Sequence, residues 1–232
     1  MNSLILIPAY NAQNTLEGVF KKIPKEVFGK TKVVIIDNNS QDKTADIAER
    51  LSKEFPIKLI RHASNLGYGA SQKTGFNYAL ENKADCVVLL HSDGQYSPEM
   101  LPQFIRGIEE GNDLVAGSRY LGGNMLKQGM PFHRYFGNLF LTGFANLVFR
   151  AKIYSWHSGY RAYSRKALES IKFMEFSNYY EFDSEMMIGA LKNKLKIKEI
   201  PIPTIYRGTK SYLNSITYGL GIVKVILKNI LK

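Results

Sequence analysis

Cysteine is almost missing from this sequence. Cys86 is the single thiol among 232 residues, so no disulfide can close within the chain, and a reducing compartment such as the cytoplasm is expected. It sits inside an apolar run, where a thiol reads as a packed core group rather than a nucleophile. No basic leader precedes the apolar start MNSLILIPAYN, which is also too short for a signal segment. The longest uncharged stretch, residues 135–149, falls short of the roughly 20 residues that a membrane-spanning helix needs. Internal repeats and low-complexity linkers are lacking too. Acidic charge is scarce: 20 Asp and Glu face 31 Lys and Arg, a net charge of +11, so the expected partner is anionic. Nucleic acid, an acidic membrane surface and a nucleotide-linked small molecule all fit that sign. The basic residues are spread along the chain instead of clustering with aromatics, which argues against nucleic acid.

What the sequence does have is length and alternation. With 232 residues, 45% of them apolar, it can bury a substantial core. Short apolar runs at residues 3–8, 32–36, 57–61, 86–90 and 113–117 predict five strands. Between them, helices are expected over residues 15–23 and 42–55, from the loop at 65–70 to about 82, and from Pro98 to 110 with Ser97 as N-cap. This alternation predicts an α/β fold: a Rossmann-like, mostly parallel sheet with helices on both faces. Beyond residue 120 the pattern loosens. Gly122, Gly123 and Gly129 mark a loop, residues 134–149 a helix and 158–164 a short strand. Helices from Lys166 and over 182–194 precede a strand at 197–206. Residues 216–232 read as a C-terminal amphipathic helix with Lys224, Lys228 and Lys232 four apart on one face. Two readings of that helix stand: its apolar side packs on the domain, or it lies in a membrane interface.

In an open sheet of this kind, ligands bind beyond the carboxyl ends of the strands. Asp37 ends the second run and Asp93 follows the fourth, with Pro8-Ala9-Tyr10 after the first, so all are expected to face one crevice. An acid there suits a ribose hydroxyl or a base N–H; a second acid suits a divalent cation bridging phosphates. The Gly67-Tyr68-Gly69 loop is no dinucleotide fingerprint, because Gln72 stands where a third glycine belongs and the loop follows the third strand. A dehydrogenase is excluded on that ground. A nucleotidyltransferase of similar fold would begin with a Gly-rich, basic loop, which Pro8-Ala9-Tyr10-Asn11 does not offer.

Five segments stand in a fixed order: Pro8-Ala9-Tyr10-Asn11, Ile36-Asp37-Asn38-Asn39-Ser40, Asn65-Leu66-Gly67-Tyr68-Gly69, Ser92-Asp93-Gly94-Gln95 and Gly117-Ser118-Arg119-Tyr120. In that order, at the ends of successive strands, they resemble family 2 glycosyltransferases, especially the polyprenyl-phosphate (dolichyl-phosphate) mannosyl- and glucosyltransferases. The resemblance extends through Ser158-Gly159-Tyr160-Arg161 and Phe182-Asp183-Ser184-Glu185. It implies a GT-A fold, a UDP- or GDP-sugar donor, Mn²⁺ or Mg²⁺, and transfer with inversion. The implied acceptor is a polyprenyl phosphate, met at the inner face of the cell membrane in envelope synthesis. Residues 1–210 would form the catalytic domain, 1–120 holding the nucleotide sugar and 121–210 the acceptor, with 211–232 as the appended helix. Asp37 would read the nucleoside in a pocket lined by Pro8, Tyr10 and Asn11. Asp93 matches the last acid of the family's D-x-D motif and Gln95 a second group on the metal side. Arg119 and Arg134 would hold phosphate oxygens, and Asn65, Gly67, Ser92 and Arg161 would complete the donor site.

Three departures from the family pattern matter. His91 replaces the first acid of D-x-D; it either ligates the cation, tilting preference toward Mn²⁺, or only orients a ligand. Ser155 stands where an acid precedes the Ser-Gly-aromatic-Arg motif. The basic segment near the end is reduced to Arg207-Gly208-Thr209-Lys210-Ser211, and no membrane helices follow. The last two bear on the lipid acceptor. A phosphate monoester, with a second pKa of about 6, arrives already ionised. A sugar hydroxyl on a glycan acceptor needs a general base, for which Asp183 or Glu185 are candidates unless they only balance a helix dipole. His133 and His157 read first as structural hydrogen-bonders and Trp156 as a packing residue. The aromatics of residues 132–149 read first as core or subunit contact and second as a lipid groove, which leaves a homo-oligomer open.

Overall fold

The computed structural model describes residues 1–29, 31–123, 125–126, 129–203 and 215–230. Four strands, β1 (Ser3–Ala9), β2 (Thr31–Asp37), β3 (Ile57–Arg61) and β4 (Cys86–Leu89), are separated by α1 (Leu16–Lys21), α2 (Lys25–Phe28), α3 (Thr44–Ser52) and α4 (Tyr68–Glu81). The chain continues through α5 (Leu101–Glu109), β5 (Leu114–Ser118), α6 (Phe132–Phe149), β6 (Arg161–Ser164) and α7 (Arg165–Ser170). It closes with α8 (Phe182–Lys192), β7 (Ile197–Pro201) and α9 (Ser215–Ile230).

The strands form one sheet in the order β3-β2-β1-β4-β6-β5-β7. All its pairings are parallel except those of β6, which runs antiparallel to both β4 and β5. Strands β1, β2 and β4 read as unbroken Val/Ile/Leu runs because both of their faces are covered. Leu4, Leu6, Val34, Ile36, Val87 and Leu89 face a core completed by α4, α6, α8 and α9. Ile5, Ile7, Val33, Ile35 and Val88 face the other, under α1, α3 and α5. Each such side chain contributes about 1.5–3 kcal/mol on burial. Cys86 lies in the second core, and burial pushes its thiol up to about 12, consistent with an inert packing group.

Local chemistry moves several boundaries. Helix α3 starts at Thr44 rather than Asp42, because Asp42 Oδ1 accepts the Thr44 N–H at 2.9 Å from outside the helix. Ser97 is not a side-chain cap: its hydroxyl donates to Glu99, and Pro98–Met100 forms a 3₁₀ turn leading into α5. Strand β7 ends at Pro201, while residues 204–206 of the expected strand lie outside the described residues. So do Arg207-Gly208-Thr209-Lys210-Ser211, the 210/211 boundary and Lys232. Helix α9 packs on the domain through Ile222, Val225 and Ile226, leaving Lys224 and Lys228 exposed. Among the described residues no helix is long and apolar enough to cross a membrane.

Strand β1 lies between β2 and β4, so the connections leave it in opposite directions. That reversal opens a crevice at the carboxyl ends of β1 and β4.

Candidate active site

A cleft of about 1070 Å³ occupies this crevice, just above the usual size range of ligand pockets. Pro8, Tyr10 and Asn11 line it where β1 ends. Asn11 takes φ +49°, a conformation asparagine tolerates, and stitches its loop to the one after β2. Its N–H donates to Ser40 Oγ at 2.9 Å, and its Oδ1 accepts the Gln41 N–H at 2.9 Å. Ala12 N–H donates to Thr44 Oγ1 at 2.7 Å, which fixes the same pair of loops.

Asp37, expected in this pocket, does not line it. Its carboxylate is fully buried, accepting from Ser40 N–H at 3.1 Å and from Arg61 Nε at 3.2 Å. The residue that lines the cleft is its neighbour, Asn38, together with Asn65 and Gly67. Asn38 Nδ2 donates to Asn65 Oδ1 at 2.8 Å, while its Oδ1 accepts from Leu66 N–H at 3.0 Å and His62 Nδ1 at 2.8 Å. Successive side chains leave a strand on opposite sides, so only one of Asp37 and Asn38 can face a ligand. The sequence does not say which.

Asp93 lines the cleft beyond β4. Its Oδ1 accepts the Gln95 N–H at 3.0 Å, an Asx turn made possible by Gly94 at φ +74°. Ser92 ties the ends of β4 and β1 together by donating its hydroxyl to the Pro8 carbonyl at 2.9 Å. Gln95, Arg119 and Arg134 line the same space, Arg119 with its guanidinium 4.9 Å above the Tyr96 ring. Among the described residues no three His, Cys, Asp or Glu side chains form a closed metal cage. Asp93 with the Gln95 amide instead matches a hard cation completed by water and substrate phosphates, so these residues fit Mn²⁺ or Mg²⁺.

His91 lines the cleft beside Asp93 and is hydrogen-bonded to a tyrosine. Its Nε2 lies 2.8 Å from the Tyr68 hydroxyl, which in turn donates to Asp183 Oδ2 at 3.1 Å. Burial holds the imidazole below its ordinary pKa, against the pull of Asp93 and Asp183. Burial, reinforced by the Asp183 charge, pushes the Tyr68 phenol well above its own, so the phenol stays protonated. Since that proton goes to Asp183, neutral His91 donates from Nε2, and the chain runs His91 to Tyr68 to Asp183. Gly159 makes the approach possible: a Cβ there would stand 2.6 Å from His91 Nε2.

The first turn of α8 brings Asp183 to the cleft, where Oδ1 also accepts from Gln72 Nε2 at 2.9 Å. Glu185, the other candidate base, does not line the cleft. It is buried, with Oε2 accepting the Ser177 N–H at 2.6 Å, and burial raises its pKa. Two residues on a helix are about 200° apart, so the pair cannot share a face. Arg161 is likewise corrected from a donor-site residue to an internal clamp. Fully buried, its guanidinium donates to the carbonyls of Asp183, Ser155 (3.3 Å) and Trp156 (3.1 Å). Trp156 packs as expected, with Nε1 donating to Asn146 Oδ1 at 2.8 Å. His133 and His157 both line the cleft, and His157 Nδ1 sits 3.1 Å from the Tyr218 hydroxyl of α9. Burial lowers the His157 pKa to about 3.

Sequence reasoning missed Asn38, Tyr68, Gln72 and Tyr218 as cleft or cleft-shaping residues. For Tyr68 and Gln72 a signal existed: four apart on α4, they share one helix face. Tyr218 offered none, since a contact across 61 residues has no local signature.

A family model described as glycosyl transferase family 2 matches residues 4–172. An uncharacterised protein of Methanocaldococcus jannaschii is 34% identical, over 97% of this chain and 91% of that one. UDP-N-acetylglucosamine–dolichyl-phosphate N-acetylglucosaminyltransferase of Methanococcus voltae is 31% identical, over 87% and 85% of the two chains. Among solved structures, glucosyl-3-phosphoglycerate synthase from Mycobacterium tuberculosis, in complex with Mn²⁺, UDP-glucose and phosphoglyceric acid, has a TM-score of 0.73 at 16% identity. It covers 99% of this chain and 79% of that one, a likeness in the GT-A fold.

Proposed function

Because the chain belongs to glycosyl transferase family 2, and is therefore a sugar-transferring enzyme, we propose that it glycosylates a polyprenyl phosphate from a nucleotide-sugar donor. The observation that carries this reading is the make-up of the cleft: Asn38 and Asn65, Asp93 with Arg119 and Arg134, and Asp183 all line it. The M. voltae relative is named for a UDP-sugar donor and a dolichyl-phosphate acceptor, and the M. tuberculosis fold neighbour was solved with UDP-glucose and Mn²⁺. Both favour a UDP-sugar here.

The paired amides of Asn38 and Asn65 offer their remaining Nδ2 hydrogens to an acceptor on the edge of the base, beside Tyr10 and Pro8. Arg119 and Arg134 hold phosphate oxygens and offset charge that grows as the diphosphate departs. Asp93 and Gln95 would hold the divalent cation, which when bound supplies further positive charge to the leaving diphosphate. The acceptor phosphate oxygen forms the new bond to the anomeric carbon. The bond to the diphosphate breaks with its electron pair on the nucleoside diphosphate, so one displacement inverts that carbon. A phosphate nucleophile is ionised near neutrality, its second pKa being about 6, and requires no base. Asp183, whose two oxygens accept from Tyr68 and Gln72, then holds those two side chains in place around the acceptor. The enzyme works at the inner membrane face, where such lipids present their phosphates.

A second reading keeps the donor and changes the acceptor to a sugar hydroxyl, with Asp183 as general base; its place on the cleft favours this. Thin-layer chromatography after incubation with labelled UDP-sugar, Mn²⁺ and either acceptor separates the two. Label moving into the solvent-extracted lipid supports the first reading; label found only on glycan overturns it. Thermal-shift screening of UDP-, GDP- and dTDP-sugars identifies the donor, since a bound ligand raises stability with occupancy.

A further inference from the structure

Helix α6 carries two apolar faces. One packs into the domain through Leu141 and Ala145, with Phe144 and Val148 against the same cluster. The other meets solvent: Phe132, Phe136, Leu139, Phe140 and Leu147 are between 47% and 78% exposed. At about 100° per residue these five fall within one arc about 100° wide, a stripe about 22 Å long. Single exposed apolar residues need no explanation, but five along one helix face do. Helix α9, packed against α6, adds Leu220 and Leu227, 69% and 48% exposed. Neither helix contains an Asp or Glu. The charge around them is basic: Arg150 and Lys152 directly after α6, and Lys224 and Lys228 on α9, are all exposed.

We propose that the outer face of α6, with the exposed residues of α9, docks this protein on an anionic lipid bilayer. Apolar side chains beside cations match the boundary between acidic headgroups and acyl chains, and the carboxylate of Glu181 lies against Gly221 of α9. A second copy of the chain fits poorly, because it would press one basic face on another in a protein of net charge +11. The opposite face of α6 gives Arg134, Gly137 and Asn138 to the cleft, and α9 gives it Tyr218. Docking through these helices therefore sets the cleft behind α6, one helix diameter (roughly 10 Å) from the lipid surface. That use of the surface rests on the lipid acceptor proposed above, whereas the docking itself does not.

The test is co-sedimentation of the full chain with phosphatidylcholine vesicles, with and without phosphatidylglycerol, in the absence of donor and acceptor. The wild type is expected to partition at least about tenfold better onto the anionic vesicles, less so at high salt. Phe136→Ser with Phe140→Ser and Leu147→Ser should lower that partition about tenfold or more, since binding scales with the apolar area inserted. Its thermal midpoint and donor binding should match the wild type, because all three side chains are exposed. Leu147→Ser alone should give a smaller loss in the same direction. Lys224→Gln with Lys228→Gln should remove most of the preference for anionic vesicles. No sedimentation with either vesicle overturns the proposal, as does equal partition of wild type and triple variant. A dimer in size-exclusion chromatography that the triple variant turns into a monomer also overturns it, assigning the stripe to self-association. Sugar transfer to a short-chain polyprenyl phosphate in detergent is measured alongside. Vesicle binding without transfer removes the acceptor reading and leaves the docking, and transfer without vesicle binding does the reverse.

Discussion

At the base end of the cleft, Asn11, Ser40, Asp42 and Thr44 hold one another by hydrogen bonds between side chains and backbone in two neighbouring loops. At the far end, Arg161 fixes three carbonyls from inside the protein, and His157 is held by Tyr218 of a helix distant in sequence. The first set lies partly open to water, so a lost partner can be replaced by solvent. In the second set Arg161 is fully buried and His157 half-buried, and a polar group orphaned in the interior has no such remedy. Substitution at the ligand-facing groups should therefore alter binding or turnover, and substitution at the buried clamps should alter folding.

The largest expected effect lies where the two ends meet. Asp93→Asn should lower turnover by about a thousandfold or more, equivalent to about 4 kcal/mol of transition-state stabilisation, because the carboxylate that would hold the cation is gone. Its urea unfolding curve should overlay that of the wild type; normal turnover would refute the role given to Asp93. Arg161→Leu should do the opposite. Removing a buried guanidinium from the carbonyls of Ser155, Trp156 and Asp183 is expected to destabilise by about 3–5 kcal/mol. If the unfolding midpoint is unchanged while donor affinity falls, Arg161 belongs to the ligand site and not to the scaffold.

The same contrast explains how much could be read from the sequence. Strands β1 to β5 and helices α1, α3, α4 and α5 were legible because each unit declares itself locally, by an apolar run, a polar turn and helical spacing, whereas the single turn of α2 is too short to show a period. That Asp93, Gln95, Arg119 and Asp183 line the cleft was legible because a residue just past a strand, or at a helix start, has its place set by that element. Asp37 was misplaced by a side-chain parity that the sequence leaves open. Glu185 and Arg161 were misread because their partners, Ser177 and the three carbonyls, are chosen by packing. Nothing in Arg161-Ala162-Tyr163-Ser164 states that β6 inserts antiparallel between β4 and β5, since that pairing is made only between distant segments.

Between the two extremes stands Arg119, which lines the cleft over Tyr96. Arg119→Ala should weaken binding of the phosphate-bearing donor by about 1.5–3 kcal/mol, the worth of a charged hydrogen bond, and leave folding nearly unchanged. Calorimetric titration of the donor nucleotide reads this directly, and equal affinities would take Arg119 out of the site.

The smallest effect expected is one of pH, and it compares a histidine from each end. His157 Nδ1 shares a hydrogen bond with the Tyr218 hydroxyl at 3.1 Å, which leaves the other ring nitrogen, Nε2. That nitrogen is buried and has no hydrogen-bond partner among the described residues. With a folded-state pKa of about 3, His157 stays neutral over a range in which the unfolded chain, titrating near 6.5, takes up a proton. Stability from this group is thus complete above about pH 6.5 and declines as pH falls toward 3, by up to about 1.4 kcal/mol per pH unit. His62, at the base end, is also lowered by burial, but the Asp37 carboxylate pulls it back. Urea unfolding from pH 7.5 down to about 5.5 should therefore show wild type and His157→Gln converging by about 1 kcal/mol, while His62→Gln runs more nearly parallel to the wild type. If His157→Gln tracks the wild type at every pH, the imidazole is not the buried neutral group described here, and the far end of the cleft loses the feature that sets it apart.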